Sequence, residues 1–169
     1  MHGNIRDILP VAISDESEKI IQETIDRKVK SAARFAVSLF RALEEHFGPE
    51  TRQVLKKFVF DRQPEIRSNP GEASEDLHTF CGNMEKACIG SHRWQKLCNE
   101  SDKIGYSFSR CLWAEAFREA GEPDLGFYFC AGDEPAVKAY NPGLGFRRTK
   151  VLMKGDEICD HIFLVEKPR

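Results

Sequence analysis

Apolar residues recur at steps of three and four between Ser14 and Phe47, which predicts one long amphipathic helix over residues 14–47. Ser14 and the acidic residues behind it are typical of a helix start, and Gly48-Pro49 of its end. A second helix is predicted around Val54–Val59, and a third over Ser74–Cys98 with an interruption near Gly90.

The period changes at Lys103, where Ile104, Tyr106 and Phe108 alternate with small residues and predict a strand. Short helices are predicted over Cys111–Ala120 and from Pro123 to Cys130, with another starting near Asp133. Residues 144–166 are predicted to form an antiparallel hairpin with strands over 146–153 and 158–166. We therefore expect one α+β domain over residues 1–169, in which a helical part (1–100) precedes a mixed part (101–169) with a small antiparallel sheet and helices packed on it.

Composition narrows the classes of function. The 169 residues are 41% hydrophobic and 31% charged, and 25 basic against 27 acidic residues give a net charge of −2. This near-neutral charge gives no indication of the basic face that nucleic-acid binding requires. No apolar run is long enough to span a bilayer, and residues 1–6 do not resemble a signal peptide, so a cytoplasmic protein is expected.

Six cysteines are the unusual feature, and without a secretion signal they favour thiol or metal chemistry over disulfides. One group of cysteines and histidines fits no common zinc-site spacing, although Cys88 and His92 are four residues apart. By default its members are interpreted as ordinary core or surface residues. Its members are His78, Cys81, Cys88, His92 and Cys98.

The second group contains the parts for nucleophilic catalysis, namely thiols, an acid and an imidazole. Cys111 opens a predicted helix, Cys130 and Asp133 are one turn apart, and Cys159 and His161 face the same side of a strand. Of Arg147 and Arg148, which lie on opposite faces of a strand, one could hold a carboxylate, and a solvated strand face is the alternative.

The segment Arg110–Val165 resembles the L-2-amino-thiazoline-4-carboxylic acid hydrolase family and, more distantly, the 4-vinyl reductase domain. The matching residues are Arg110-Cys111, Cys130-x-x-Asp133, Asn141-Pro142 followed by Arg147 or Arg148, and Gly155-Asp156-x-x-Cys159-Asp160. His161 departs from the pattern, since an aromatic residue is expected after Cys159-Asp160.

The resemblance implies hydrolytic opening of a cyclic amidine that carries a carboxylate, giving an N-carbamoyl cysteine without an organic cofactor. It implies Cys130 as nucleophile and Asp133 as proton carrier, with Cys111 and Cys159 lining the site. A nucleophilic Cys130 is expected to ionise more readily than a free thiol, with a helix end or a protonated His161 as the source of positive charge. Arg148 is the first choice for the substrate carboxylate; Arg147, Arg110 and His161 are further candidates for substrate binding.

Two alternatives remain open on the residues. In one, the same pocket belongs to a non-catalytic binding module for a small apolar or metal-bound ligand. In the other, Cys111, Cys130 and Cys159 bind zinc with Asp133 or His161 as the fourth ligand. The N-terminal helices are expected either to cover the pocket or to form the face of a homodimer.

Overall fold

The fold is α+β, as predicted. A computed structural model describes residues 1–67 and 76–166, with the side chains of residues 60 and 62–67 excepted. Within these residues the α-helices are α1 (Asp15–Phe47), α2 (Glu50–Arg67), α3 (Leu77–Cys88), α4 (Leu112–Glu119), α5 (Pro123–Ala131) and α6 (Asp133–Tyr140). The strands are β1 (His92–Asn99), β2 (Lys103–Cys111), β3 (Leu144–Arg147) and β4 (Cys159–Val165).

The long first helix is confirmed, and its ends follow local chemistry. The Ser14 hydroxyl accepts a hydrogen bond from the Ser17 amide, and Gly48 ends the helix with a φ of 83°, a conformation that favours glycine. Ala33, Val37 and Phe40 form its buried side. That side contacts α4, while α2 runs back against α1 and α6.

The four strands form one antiparallel sheet in the order β1-β2-β4-β3. Ile104, Tyr106 and Phe108 of β2 lie opposite Phe163, His161 and Cys159 of β4 and therefore share a face with them. Helix α3 covers this face, where the rings of Phe80 and Phe163 are 5.3 Å apart. The strand predicted at Lys103, the helices after Cys111 and Pro123, and the helix near Asp133 are confirmed.

The prediction of helix over Ser74–Cys98 is wrong beyond Ile89. Helix α3 begins after the Asp76 cap and ends at Cys88, and the chain then enters the edge strand β1. The division between the helical and mixed parts therefore lies near residue 90, not residue 100. Residues 74 and 75, where the predicted helix starts, lie outside the described residues.

The antiparallel pairing predicted for residues 144–166 is confirmed, but the first strand is shorter than predicted. It ends at Arg147, and residues 152–154 form a short 3₁₀-helix instead of the end of a strand. Val151, Leu152 and Met153 are all buried, which an alternating strand on one core face does not permit. The long connection that results positions the candidate site.

Candidate active site around Asp133

An ion pair lies where α6 begins and β3 has just ended. Arg148 donates a hydrogen bond from Nη1 to Oδ2 of Asp133 at 2.7 Å, and from Nη2 to the carbonyl oxygen of Cys130 at 2.9 Å. The two side chains keep only 10% and 25% of their surfaces in solvent. The guanidinium therefore joins the end of α5, the start of α6 and the segment after β3.

Four thiols lie at the ends of elements that converge near this pair. Burial raises the pKa of Cys88 and Cys130 to about 12 and that of Cys111 to about 11, and it also raises the pKa of Cys159. Cys88 ends α3, Cys111 caps α4, Cys130 lies near the end of α5 and Cys159 begins β4. All four are consequently neutral thiols near pH 7.

Two imidazoles complete the arrangement. Burial lowers the pKa of His92 and of His161 from 6.5 to about 4, so both rings are neutral. His161 packs between aromatic rings, with centroids 4.8 Å from Phe108 and 5.1 Å from Phe146. The Ser91 hydroxyl lies 2.9 Å from Nδ1 of His92.

The Asp133 carboxylate acts electrostatically on all six of these groups. Besides burial, its charge raises the pKa of each of the four thiols and opposes the lowered pKa of the two imidazoles. The groups predicted from dispersed parts of the chain are therefore near neighbours of one carboxylate. We call these residues the Asp133 cluster: Asp133, Arg148, Cys88, Cys111, Cys130, Cys159, His92 and His161.

Asp160 fixes the segment that carries Arg148. Its carboxylate accepts hydrogen bonds from the Thr149 amide at 2.8 Å, the Thr149 hydroxyl at 2.6 Å and the Lys150 amide. These bonds favour the charged form and lower the pKa of Asp160 against the opposing effect of burial. Because Arg148 directly precedes Thr149, the bonds restrict where its guanidinium can reach.

The next turn of the same connection is fixed in the same way. The Asp156 carboxylate accepts from the Val151 amide at 2.6 Å, and the Cys159 sulfur accepts from the Leu152 amide at 3.0 Å. The spacing Gly155-Asp156-x-x-Cys159-Asp160 is thus a set of hydrogen-bond acceptors that shape residues 149–152. Gly155, with a φ of 97°, makes the turn possible.

Arg147 and Arg110, two of the predicted binding residues, have other surroundings. Arg147 is exposed at the end of β3. Arg110 lies near His92, but its guanidinium makes a two-pronged ion pair with Glu115 at 2.8 and 3.0 Å and lies 3.6 Å from Asp26. Arg148, by contrast, forms an ion pair with Asp133 itself.

Two expectations about ionisation are wrong. A nucleophilic Cys130 was expected to ionise more readily than a free thiol, with a protonated His161 as one source of positive charge. Burial instead raises the pKa of Cys130, and the Asp133 charge adds to that effect, while Arg148 opposes it. His161 is neutral, whereas Arg148 supplies positive charge near Cys130.

The members of the first cysteine group lie in different parts of the fold. Cys81 is buried beneath Tyr106, and Cys98 lies over Gly105 on the opposite face of the sheet. Cys88 and His92 instead belong to the Asp133 cluster, which sequence reasoning missed because it placed both on one helix. Their four-residue spacing was a usable signal, but a turn and a strand start separate them.

In the described part of the chain, no three His, Cys, Asp or Glu side chains are arranged to hold a metal ion. The zinc alternative gains no support from this arrangement. No helix within residues 1–67 and 76–166 combines the length and apolar character needed to cross a membrane.

Two shallow grooves lie elsewhere on the molecule. One, of about 330 Å³, lies between the N-terminal segment, α3 and Trp94, and the other, of about 290 Å³, lies beside the start of α1. Neither is lined by a member of the Asp133 cluster. Within the cluster, a quarter of the Asp133 side chain is in contact with solvent.

Comparison with known proteins gives a family match and similarities to solved structures. The model of the L-2-amino-thiazoline-4-carboxylic acid hydrolase family matches residues 28–163, a range that includes every member of the Asp133 cluster. No curated protein matches the chain. A crystal structure of the phenol-responsive sensory domain of the transcription activator PoxR with phenol is similar at a TM-score of 0.44 and 11% identity, covering 81% of this chain and 74% of that one.

Proposed function

This chain belongs to the L-2-amino-thiazoline-4-carboxylic acid hydrolase family, and we propose that it hydrolyses a small cyclic amidine that carries a carboxylate. The product is an N-carbamoyl cysteine or its close analogue. The reaction uses water and no organic cofactor.

The observation that carries this proposal is the largely buried pair of opposite charges, Arg148 and Asp133, at the centre of the Asp133 cluster. A protonated cyclic amidine with a carboxylate is a zwitterion, and it complements a site with one cation and one anion. Arg148 uses two of its five donors on Asp133 and Cys130, so donors remain for a substrate carboxylate. The amidinium would then lie toward Asp133.

The proposed first step is attack by Cys130 on the amidine carbon, which lies between nitrogen and sulfur. The Sγ–carbon bond forms as the thiol proton passes to Asp133, and the ring carbon–sulfur bond then breaks. The ring sulfur takes that proton and leaves as a thiol. The result is a substrate bound to Cys130 through an isothiourea.

Water completes the proposed reaction. It attacks the same carbon, gives one proton to Asp133 and displaces Cys130, which recovers its proton from Asp133. The second proton of the attacking water leaves to solvent, and the carbon becomes the urea carbonyl. Cys111 and Cys159 line the site in this scheme and exchange no proton.

The raised pKa of Cys130 fits a nucleophile that is inactive until substrate binds. A thiolate beside Asp133 is unfavourable in the empty site, because burial and a like charge both oppose it. An amidinium bound between the two groups supplies the opposite charge. The proposal thus couples thiol activation to binding of a cationic ring.

The test is ring opening of L-2-amino-thiazoline-4-carboxylate by the purified protein, followed by mass spectrometry of the product. We expect turnover by the native protein, loss of turnover in Cys130→Ser and Asp133→Asn, and a substrate adduct on Cys130 after rapid acid quenching. Cys98→Ser is the matched control, since Cys98 lies on the opposite face of the sheet from the site. Turnover that survives in Cys130→Ser would exclude the covalent route.

A second candidate is a non-catalytic binding module that uses the same cluster. The observation in its favour is that every thiol and imidazole of the cluster is neutral at rest. This function predicts saturable binding of the same zwitterion with no product and no adduct at any pH between 6 and 9. A single ring-opened product would exclude it.

The proposal also places the enzyme in the cytoplasm. All six cysteines are unpaired, and a reducing compartment would keep them so. The partner in this proposal is the small-molecule substrate, with no nucleic acid and no membrane.

A further inference from the structure

Helix α1 carries a second row of side chains, apolar in its middle, that the described residues leave exposed. Its buried side, around Ala33, Val37 and Phe40, faces the core. On another side, Phe35 is 70% and Leu39 is 49% exposed. Apolar side chains exposed in a row on one helix typically mark an interaction surface.

The spacing of the exposed row is that of a coiled-coil seam. Its steps along the chain alternate between four and three, which is the heptad pattern of a helix that packs against another helix. At 1.5 Å per residue the row is about 27 Å long. Its members, all exposed, are Lys28, Ala32, Phe35, Leu39, Ala42 and His46.

We propose that this seam is the interface of a homodimer in which α1 packs antiparallel against α1 of a second copy. A two-fold axis near Val37 places Phe35 against Leu39 of the other copy and Ala32 against Ala42. Each large side chain then meets a large one, and each small one a small one, on both sides of the axis. The two alanine layers let the helices approach closely.

The charged residues at the two ends of the seam favour antiparallel over parallel packing of the two α1 helices. Lys28 is basic at one end of the seam, Glu45 is acidic at the other, and neither has an ion-pair partner within the described residues. Antiparallel packing about this axis places Lys28 of each copy level with His46 of the other and next to the adjacent Glu45. Parallel packing would put Lys28 against Lys28, which is unfavourable.

The first test is the mass of the native protein in solution, by sedimentation velocity over a range of concentrations. We expect a dimer, and we expect Leu39→Glu to raise its dissociation constant by at least about a hundredfold because two charges would be buried. Leu97→Glu is the matched control: Leu97 is 59% exposed on the edge strand β1, outside the seam, and this variant should remain dimeric. A native protein that is monomeric throughout, or two variants that behave alike, would overturn the proposal.

The second test addresses direction. Lys28→Glu should weaken the dimer by about tenfold, and Lys28→Glu combined with Glu45→Lys should restore it. A carbodiimide, which joins amines to carboxylates in contact, should link Lys28 to Glu45. Within one helix these residues are about 25 Å apart, so that link can form only between copies. A dimer without this link and without charge-swap rescue contradicts the antiparallel seam.

Discussion

At the scale of single residues, burial decides the ionisation of the site. Cys130 and His161 were expected to be readily charged, and both are neutral because the surrounding protein disfavours their charged forms. Residue type and spacing are visible in a sequence, whereas burial is a tertiary property. The sequence could therefore supply candidate residues for the site, without Cys88 and His92, but not their charge states.

His161 gives a prediction about stability and pH. Its pKa falls from 6.5 to about 4 on folding, so between these values the unfolded chain binds more protons. Stability is then present above pH 6.5 and is lost as the pH falls toward 4. His161→Phe, which places the expected aromatic residue in a ring-lined position, should reduce the loss between pH 7.5 and 5.0 by up to about 2 kcal/mol.

Urea denaturation of both proteins at the two pH values measures this difference. His78→Phe is the control, because His78 is exposed on α3. An equal loss of stability in the native protein and in His161→Phe would mean that His161 is not buried in its neutral form.

Cys130 gives a prediction about reactivity. With a pKa of about 12, only about one thiol in ten thousand is ionised at pH 8. Iodoacetamide should therefore modify Cys130 slowly, with a rate that rises about tenfold per pH unit from 8 to 11. Peptide mass spectrometry measures the extent of labelling at each cysteine. Cys98, which lies outside the cluster, is the internal reference. Faster labelling of Cys130 than of Cys98 at pH 7.5 would show that its thiol is not held neutral.

At the scale of elements, the prediction was correct where apolar residues recur at a regular spacing over a long segment. Helix α1 and strand β2 are long and regular, and both were expected. Strand β1 was missed because its register shifts twice, between Arg93 and Trp94 and between Lys96 and Cys98, so its side chains do not alternate. Strand β3 was predicted to be too long because Val151, Leu152 and Met153 are consecutive apolar residues, which resemble a strand.

Gly126 controls how closely α5 approaches its neighbours. A Cβ added there would lie 2.6 Å from Sδ of Met153 and 2.7 Å from Cγ of Phe117. Gly126→Ala should therefore cost about 1–3 kcal/mol of folding free energy and displace the helix that carries Cys130. Gly82→Ala is the control, because nothing lies within 4 Å of its Cβ position, and this variant should be stabilised by about 0.5–1 kcal/mol.

Chemical denaturation of the two variants beside the native protein measures both effects. If Gly126→Ala is as stable as Gly82→Ala, the packing of α5 on residue 153 is not as close as described.

At the scale of the whole molecule, the candidate site lies where several elements end in one place. Asp133, at the start of α6, lies near the ends of two helices, α3 and α5. The starts of α4 and β4 and the segment after β3 lie near it as well. Dispersed residues in Arg110–Val165 pointed to this convergence through the family they resemble. Cys88 and His92 come from the preceding part of the chain, and only the fold adds them.

The central claim is that Arg148 binds the carboxylate of the substrate. Its most direct test compares kcat/KM for L-2-amino-thiazoline-4-carboxylate and for 2-aminothiazoline, which lacks the carboxylate, in Arg148→Gln and in the exposed control Arg147→Gln. We predict that Arg148→Gln lowers kcat/KM about a hundredfold for the carboxylate substrate, mainly through KM, and by less than about threefold for the other, while Arg147→Gln changes neither. Equal losses for both substrates in Arg148→Gln would contradict the claim.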